Sequence, residues 1–293
     1  MTELQYLWQV TVAGLGTGCI YGIVGIGFAI VLNVSGVINL AQGEFSMLGA
    51  MLTLYALQTL GLPMAAAIAL AVILVTVIGI VFERLCISPL KKFSVQAAIF
   101  ITLGASIFAR GGAMVTWGKE NHSLPAFSGQ DSLPVLGAAV PYQVLWVVGV
   151  AALVTAALYW WFHRTLFGLA MRSCADNRLG ALFVGINVRL MVSASFAMSA
   201  ALGAAAGIVA APLTFVSFDG GLILGIKGFV AAILGGSGSY LGAVLGGLAL
   251  GALESLSAGY ISSTYKDSIA FALLILILTL RPAGLFSSRT ARA

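Results

Sequence analysis

What most limits the fold of this chain is a series of long segments without charge. Val10 to Leu32, Pro63 to Phe82, Tyr142 to Phe162 and Met191 to Pro212 contain no Asp, Glu, Lys or Arg. Each approximates the roughly 20 residues that a helix needs to cross a hydrocarbon layer about 30 Å thick. Lipid offers the backbone no hydrogen-bond partner, so such segments must be helical or belong to a closed barrel. Barrel strands would be about 10 residues long and would alternate polar with apolar positions. That alternation is absent, and an all-α, polytopic transmembrane helical bundle is expected. Composition agrees. Only 8% of the residues are charged, where a soluble domain has about 25%, and mean hydropathy is +1.08.

Further apolar stretches cover 37–60, 95–117 with Arg110 inside it, two short pieces after Asp219, and 269–280. The expectation is about eight spans, with interrupted or re-entrant segments, in one transmembrane domain over 1–293. No hydrophilic stretch is long enough to form a core of its own. The loop 84–94 carries three basic residues, the loop 163–189 four and the tail two, together nine of fourteen. The positive-inside rule puts all three in the cytoplasm, with 118–141 on the other side. The N-terminus is outside if 37–60 crosses fully, and inside if part of it is re-entrant. The net charge of +5 belongs to these loops and calls for no nucleic acid. The start, with Glu3 and no basic region, does not read as a cleaved signal peptide.

Glycine makes up 36 of 293 residues, against about 7% on average. Gly18/Gly22, Gly203/Gly207, Gly238/Gly242/Gly246 and Gly247/Gly251 follow a four-residue interval. Small residues at that spacing let helices approach closely in lipid. There is also an internal echo: "GEFSMLGA" at 43–50 and "GSGSYLGA" at 236–243 share five residues in register, as a duplicated half would. Transporters built from repeats carry interrupted helices at matching positions beside the substrate path. A charge at a bilayer centre costs about 2.5–3.5 kcal/mol and normally faces protein or water. Glu44, Arg110, Lys227 and Glu254 are such residues. Lys227 and Glu254 are expected near the interfaces, and Arg110 as a partner for a carboxylate. Asn39, Gln42, Glu44 and Ser46 form one candidate wall of a translocation path, with Gly235, Gly236, Ser237 and Ser239 as the counterpart.

Other chemistry finds no support. "GGLILGIKG" at 220–228 misses the phosphate-binding pattern GxxxxGK[ST]. His122 and His163 fall in loops on opposite sides, and no catalytic triad or paired-carboxylate site can be assembled. Cys19, Cys86 and Cys174 lack metal spacing. No catalytic residue, metal or bound cofactor is assigned. A stand-alone secondary carrier and a membrane enzyme remain the competing classes.

The connector 163–189 is the most informative soluble feature. Asp176 is expected to cap a short helix over 177–184. Leu179, Leu182 and Phe183 fall on one side of it, with Arg172 and Arg178 flanking it, giving an amphipathic element that lies on headgroups or docks in a partner's groove. Three blocks now carry a resemblance: "NLAQGEFSMLGA" at 39–50, "GLAMRSCADNRLGALFVGIN" at 168–187 and the long run 227–286. Together they resemble the LivH-type permeases of branched-chain amino acid ABC importers, over 14–286. The resemblance implies a second, homologous permease subunit forming a heterodimer with this chain. It also implies two cytoplasmic ATP-binding subunits holding ATP and Mg, an extracytoplasmic substrate-binding protein, and a bacterial inner membrane. It marks Arg172, Asp176, Asn177, Arg178, Gly185 and Asn187 as the ATPase-coupling element. Gln42 and Cys174 depart from the family pattern. Urea, amides and aromatic acids are the other substrates that such a chain would suit.

Overall fold

The computed structural model describes residues 2–90, 94–129, 131–135, 138–236, 238–280 and 284. The helices are α1 (Glu3–Ser35), α2 (Gln42–Gln58), α3 (Met64–Phe82), α4 (Val95–Trp117), α5 (Tyr142–Arg164), α6 (Leu166–Asp176), α7 (Arg178–Phe183), α8 (Val188–Ala210), α9 (Gly220–Leu234), α10 (Tyr240–Tyr260) and α11 (Lys266–Leu280). A π-type turn, Glu83–Ile87, extends α3. A small antiparallel hairpin, β1 (Ser132–Val135) with β2 (Ala138–Pro141), sits in the loop before α5. Among the described residues, six helices are long and apolar enough to cross a membrane: α1, α3 with its π turn, α4, α5, α8 and α10. The others that lie along the bundle are shorter. Helix α2 has 17 residues, and α9 and α11 have 15 each. At 1.5 Å per residue they reach only about 22–26 Å.

The helices run between two ends. At one end Tyr6 near the start of α1 donates to the Gly259 carbonyl near the end of α10 (2.9 Å). His122, after α4, exchanges backbone hydrogen bonds with Val216, after α8. This is the hairpin end. At the other end Asn33 of α1 donates to the Gly238 carbonyl before α10 (2.9 Å), and Ser193 of α8 donates to Glu83 after α3. Helices α6 and α7 lie here with Arg164, Arg172, Arg178 and Arg189, so this is the basic end. Helix α1 thus starts at the hairpin end, and the segment 37–58 returns the chain to it.

Burial follows sequence pattern. Helix α1 is apolar around its whole circumference, and such a helix must be enclosed; Ile23, Val24, Ile26, Ile30 and Val31 are all at most 1% exposed. Helices α5, α8, α9 and α10 surround it. Helix α3 instead buries one narrow stripe, Ala67, Ala71, Val75 and Gly79. Its Ile73, Val77 and Val81 face outward, as a lipid-facing surface requires. The glycine intervals do what close packing in lipid needs. A Cβ on Gly18 of α1 would come within 2.8 Å of both the Gly247 carbonyl oxygen and the Leu248 Cα of α10. The echo at 43–50 and 236–243 does not extend to structure. Residues 43–50 are wholly helical, whereas Gly236 and Gly238 have φ of 98° and 104° in the turn before α10.

Candidate functional site

The break between α1 and α2 is buried, and its polar groups explain why it survives there. Helix α1 ends because Gly36 adopts a left-handed conformation (φ 72°, ψ 8°) and returns its N–H to the Leu32 carbonyl. Ser35 donates to the Val31 carbonyl (2.7 Å) and accepts from the Val37 N–H (3.1 Å). Asn39 Oδ1 accepts from the Ala41 N–H (3.2 Å), a local turn that starts α2 in place of a longer α1. Non-helical backbone at membrane depth is tolerated where protein encloses it, and Asn39 is 1% exposed.

Three side chains tie this seam to its neighbours. Gln42 Nε2 donates to the Ser199 carbonyl of α8 (2.9 Å) and its Oε1 accepts from Ser199 Oγ. Ser199 Oγ also lies 2.9 Å from the Gly27 carbonyl of α1, so one hydroxyl stitches three helices. Glu44 stands in the first turn of α2, where a helix dipole favours a carboxylate. Its Oε1 accepts from Ser106 Oγ of α4 (2.8 Å) and lies 3.4 Å from Arg110 Nε. Arg110 is thus the carboxylate partner expected from the sequence. Glu44 Oε2, Asn39 Nδ2 and Ser46 Oγ are buried with no hydrogen-bond partner among the described residues. A Cβ on Gly221 of α9 would lie 2.6 Å from Glu44 Oε2, so the absence of a side chain there is what leaves room for the carboxylate.

Above the seam, toward the hairpin end, a cavity of about 380 Å³ lies between α1, α2, α8, α9, α10 and the start of α11. Ser46 lines it, with Ile20, Met47 and Leu224 supplying apolar wall and Lys227, Glu254 and Lys266 supplying charge. Asn39, Gln42 and Glu44 stand behind this wall. Toward the basic end α1 and α9 close together. A Cβ on Gly25 would meet the Gly228 carbonyl oxygen at 3.0 Å, and Phe28 and Phe229 pack with ring centroids 5.4 Å apart.

The second candidate wall lies elsewhere. Gly235 ends α9 against the start of α10, and Gly236 follows in the turn. Ser239 Oγ caps α10 by accepting from the Gly242 N–H (3.0 Å). Ser239 and Gly238 line a separate cavity of about 680 Å³ at the basic end, with Phe162, His163, Arg172 and Asp176. Ser237 lies outside the described residues. Ser46 of one candidate wall and Ser239 of the other therefore line cavities at opposite ends of the bundle. The sequence also did not reveal that Lys227 and Glu254 are a pair (2.8 Å). They are 27 residues apart on different helices, and only tertiary packing joins them.

The connector folds as two helices. Thr165 caps α6 by accepting from the Gly168 N–H (3.0 Å). The cap of α7 is Asn177, whose Oδ1 accepts from the Gly180 N–H (2.9 Å). Asp176, expected in that role, is instead the last residue of α6, because Asn177 adopts the extended backbone that a cap requires. Gly185 (φ 84°) turns the chain after α7, and Asn187 caps α8 through the Leu190 N–H (3.1 Å). Met171, Cys174 and Ala181 are buried against the bundle. Leu179, Leu182, Phe183 and Val184 are exposed, with Arg172 and Arg178 exposed beside them.

Comparison with known proteins places this arrangement. The family model described as "Branched-chain amino acid transport system / permease component" matches residues 10–278. The chain is 33% identical to the high-affinity branched-chain amino acid transport system permease protein BraD of Pseudomonas aeruginosa, over 97% of each chain. It is 33% identical to the LivH permease of Escherichia coli strain K12, over 97% of this chain and 96% of that one. The autoinducer 2 import permease LsrC of Escherichia coli O9:H4 is 31% identical over 62% of this chain. A solved structure, PsaBC from Streptococcus pneumoniae in complex with a Fab, shares the fold at a TM-score of 0.53 and 13% identity, over 96% of this chain and 94% of that one. The helical fold is thus shared with a protein of remote sequence, and the end-to-end match to BraD and LivH fixes the kinship: this chain belongs to the permease family of branched-chain amino acid transport systems.

Proposed function

We propose that this chain is a membrane-spanning subunit of an ATP-driven importer that carries branched-chain amino acids across a bacterial inner membrane. The observation that carries the reading is the 33% identity to BraD and LivH along 97% of the chain. Residues 1–293 act as one permease domain beside a second, homologous subunit. ATP and Mg are held by two separate cytoplasmic subunits, and an extracytoplasmic binding protein delivers substrate to the hairpin end. The connector α6–α7 is the coupling element. Its exposed Leu179, Leu182 and Phe183 enter a groove of the ATPase, and Arg172 and Arg178 pair with acidic residues at its rim.

The chemistry is mechanical. This chain performs no covalent step. Its task is to expose a polar path to one side at a time. The cavity at the hairpin end is the entry chamber, and the α1–α9 contact at Gly25, Gly228, Phe28 and Phe229 is the closed gate below it. Ser46 stands at the chamber's wall with Asn39, Gln42 and Glu44 of the polar seam behind it, where an unwound segment supplies backbone groups as well as side chains once the path opens. Gly238 and Ser239 line the exit chamber beside Arg172 and Asp176. Movement of the connector reaches it through the end of α5, where Phe162 stacks on Tyr240 of α10 with centroids 4.5 Å apart.

The test is reconstitution. The chain is purified with its co-expressed neighbours and placed in proteoliposomes loaded with ATP. Two nucleotide-binding subunits are expected to co-purify, and leucine uptake is expected to need both ATP and the binding protein. Uptake by this chain alone, driven by an ion gradient, would instead make it a secondary carrier.

A further inference from the structure

The chamber at the hairpin end carries a cluster of charge that the coupling scheme does not use. Lys227 Nζ lies 2.8 Å from Glu254 Oε1 and 2.8 Å from Asp267 Oδ1. It also donates to the Tyr21 hydroxyl (3.2 Å), which donates in turn to Glu254 Oε2 (2.8 Å). Lys266 Nζ approaches Glu254 Oε1 at 3.4 Å. Two ammonium groups and two carboxylates alternate, and the sum of charge is zero. The inner pair is deep, with side chains 9% and 7% exposed for Lys227 and Glu254, while Lys266 and Asp267 are 43% and 48% exposed. Four helices, α1, α9, α10 and α11, contribute to it.

Stability does not explain such a cluster. A buried ion pair gains little over apolar side chains of the same volume, because desolvation consumes most of the Coulomb attraction. Ionisable groups inside a membrane domain mark a route for polar cargo more often than a brace. What distinguishes this cluster is its setting. Tyr21, Lys227, Glu254 and Lys266 line a cavity of about 380 Å³ whose remaining wall is largely apolar, with Ile20, Met47, Ala50 and Leu224. That volume falls within the range of about 300–1,000 Å³ usual for small-molecule sites, which pair apolar walls with a few placed polar groups.

We infer that this cluster is the docking point within the membrane for a zwitterionic amino acid with an apolar side chain. The substrate carboxylate sits on Lys266 and Lys227, its ammonium on Glu254, and its side chain against Ile20, Met47 and Leu224. The assignment rests on the importer reading above and adds the recognition chemistry. Charge conservation is its physical core. A zwitterion inserted into an alternating cluster replaces one internal pair by two new ones and leaves no charge alone. An amine lacking the carboxylate, or an acid lacking the amine, leaves one buried charge unmatched, and a site built to hold polar groups rejects a partner that leaves them unpaired. Without substrate the cluster closes on itself, which keeps it neutral and tethers the start of α11 over the chamber.

The experiment uses the complete transporter in proteoliposomes, with Leu224→Cys in a Cys86→Ser background. The rate of modification by the uncharged reagent methyl methanethiosulfonate reports occupancy of the chamber. Millimolar leucine is expected to slow modification several-fold. Neither 3-methylbutylamine, which is leucine without its carboxylate, nor 4-methylpentanoate, which lacks the amine, is expected to do so. The paired substitution Lys227→Met with Glu254→Gln preserves net charge and is expected to abolish protection by leucine. Should that pair fail to fold, Lys266→Met at the exposed edge is expected to weaken protection. Equal protection by all three compounds, or leucine protection unchanged in whichever charge variant folds, overturns the assignment. Wild-type transporter that takes up no leucine would instead overturn the importer reading itself.

Discussion

Glu44 and Arg110 are bound as an ion pair, but they are unequal partners. The Glu44 side chain is 2% exposed and that of Arg110 23%. Removing either one leaves the other behind, and the two residues left behind differ. In Glu44→Gln the amide still accepts from Ser106, and the guanidinium retains access to water. In Arg110→Met a buried carboxylate loses its cation and keeps only the Ser106 hydroxyl. Arg110→Met is therefore expected to lower the thermal-unfolding midpoint more than Glu44→Gln. The loss stays below the roughly 3–5 kcal/mol found when both partners are buried, because water screens the exposed member. Glu44→Gln is expected to slow leucine uptake by more than its small stability change accounts for, as a group in the polar seam should. Paired measurements of unfolding and uptake on both variants decide this. Equal midpoints would mean that the 3.4 Å contact carries no weight, and unchanged uptake in Glu44→Gln would reduce that residue to a structural one.

At the level of elements, the sequence was most legible where one physical cause dominates. Charge-free length marked the spans because lipid forces the backbone into helices, and the bounds of α3 and α5 followed from it to within two residues, whereas α10, read as a short apolar piece, is a 21-residue helix. The cap of α7 was misplaced by one residue because Asp176 and Asn177 are both good caps in isolation, and only the backbone conformation separates them. Lys227, Glu254, Lys266 and Asp267 could not be assembled in advance, since nothing local links α9, α10 and α11. The connector itself gives a sharp prediction. Its Arg172 and Arg178 are exposed at the basic end beside an uncovered apolar face, so reversing both to Glu is expected to abolish substrate-stimulated ATP hydrolysis while the permease still folds. Asn177→Ala removes one hydrogen bond to α7, a loss of about 1 kcal/mol for a typical cap. It is expected to reduce coupling partly, with the ATPases still attached. ATP hydrolysis assayed with and without loaded binding protein separates the two. Full coupling in the double reversal would move the docking surface away from α6–α7.

The whole molecule depends on which end faces the cytosol, and its cysteines report this. Cys86 is exposed in the π turn after α3, at the basic end, whereas Cys19 and Cys174 are buried. Burial also pushes the Cys174 thiol above its ordinary range, against the smaller opposing effect of Arg178. At neutral pH Cys174 thus holds less of the reactive thiolate than an ordinary cysteine. A membrane-impermeant maleimide at pH 7 is therefore expected to modify Cys86 alone. Glu83 and Ser193 join Cys86's turn to the base of α8, and α8 follows directly from α7. Cys86 and the α6–α7 connector must consequently emerge on the same side. If the basic loops obey the positive-inside rule, inside-out vesicles label at Cys86 and right-side-out vesicles do not, as mass spectrometry of the modified peptide would show. The opposite result would set α6 and α7 beyond the reach of any cytosolic ATPase. The cavity with Lys227 and Glu254 would then open to the cytosol, and the fold would serve export or a different motor.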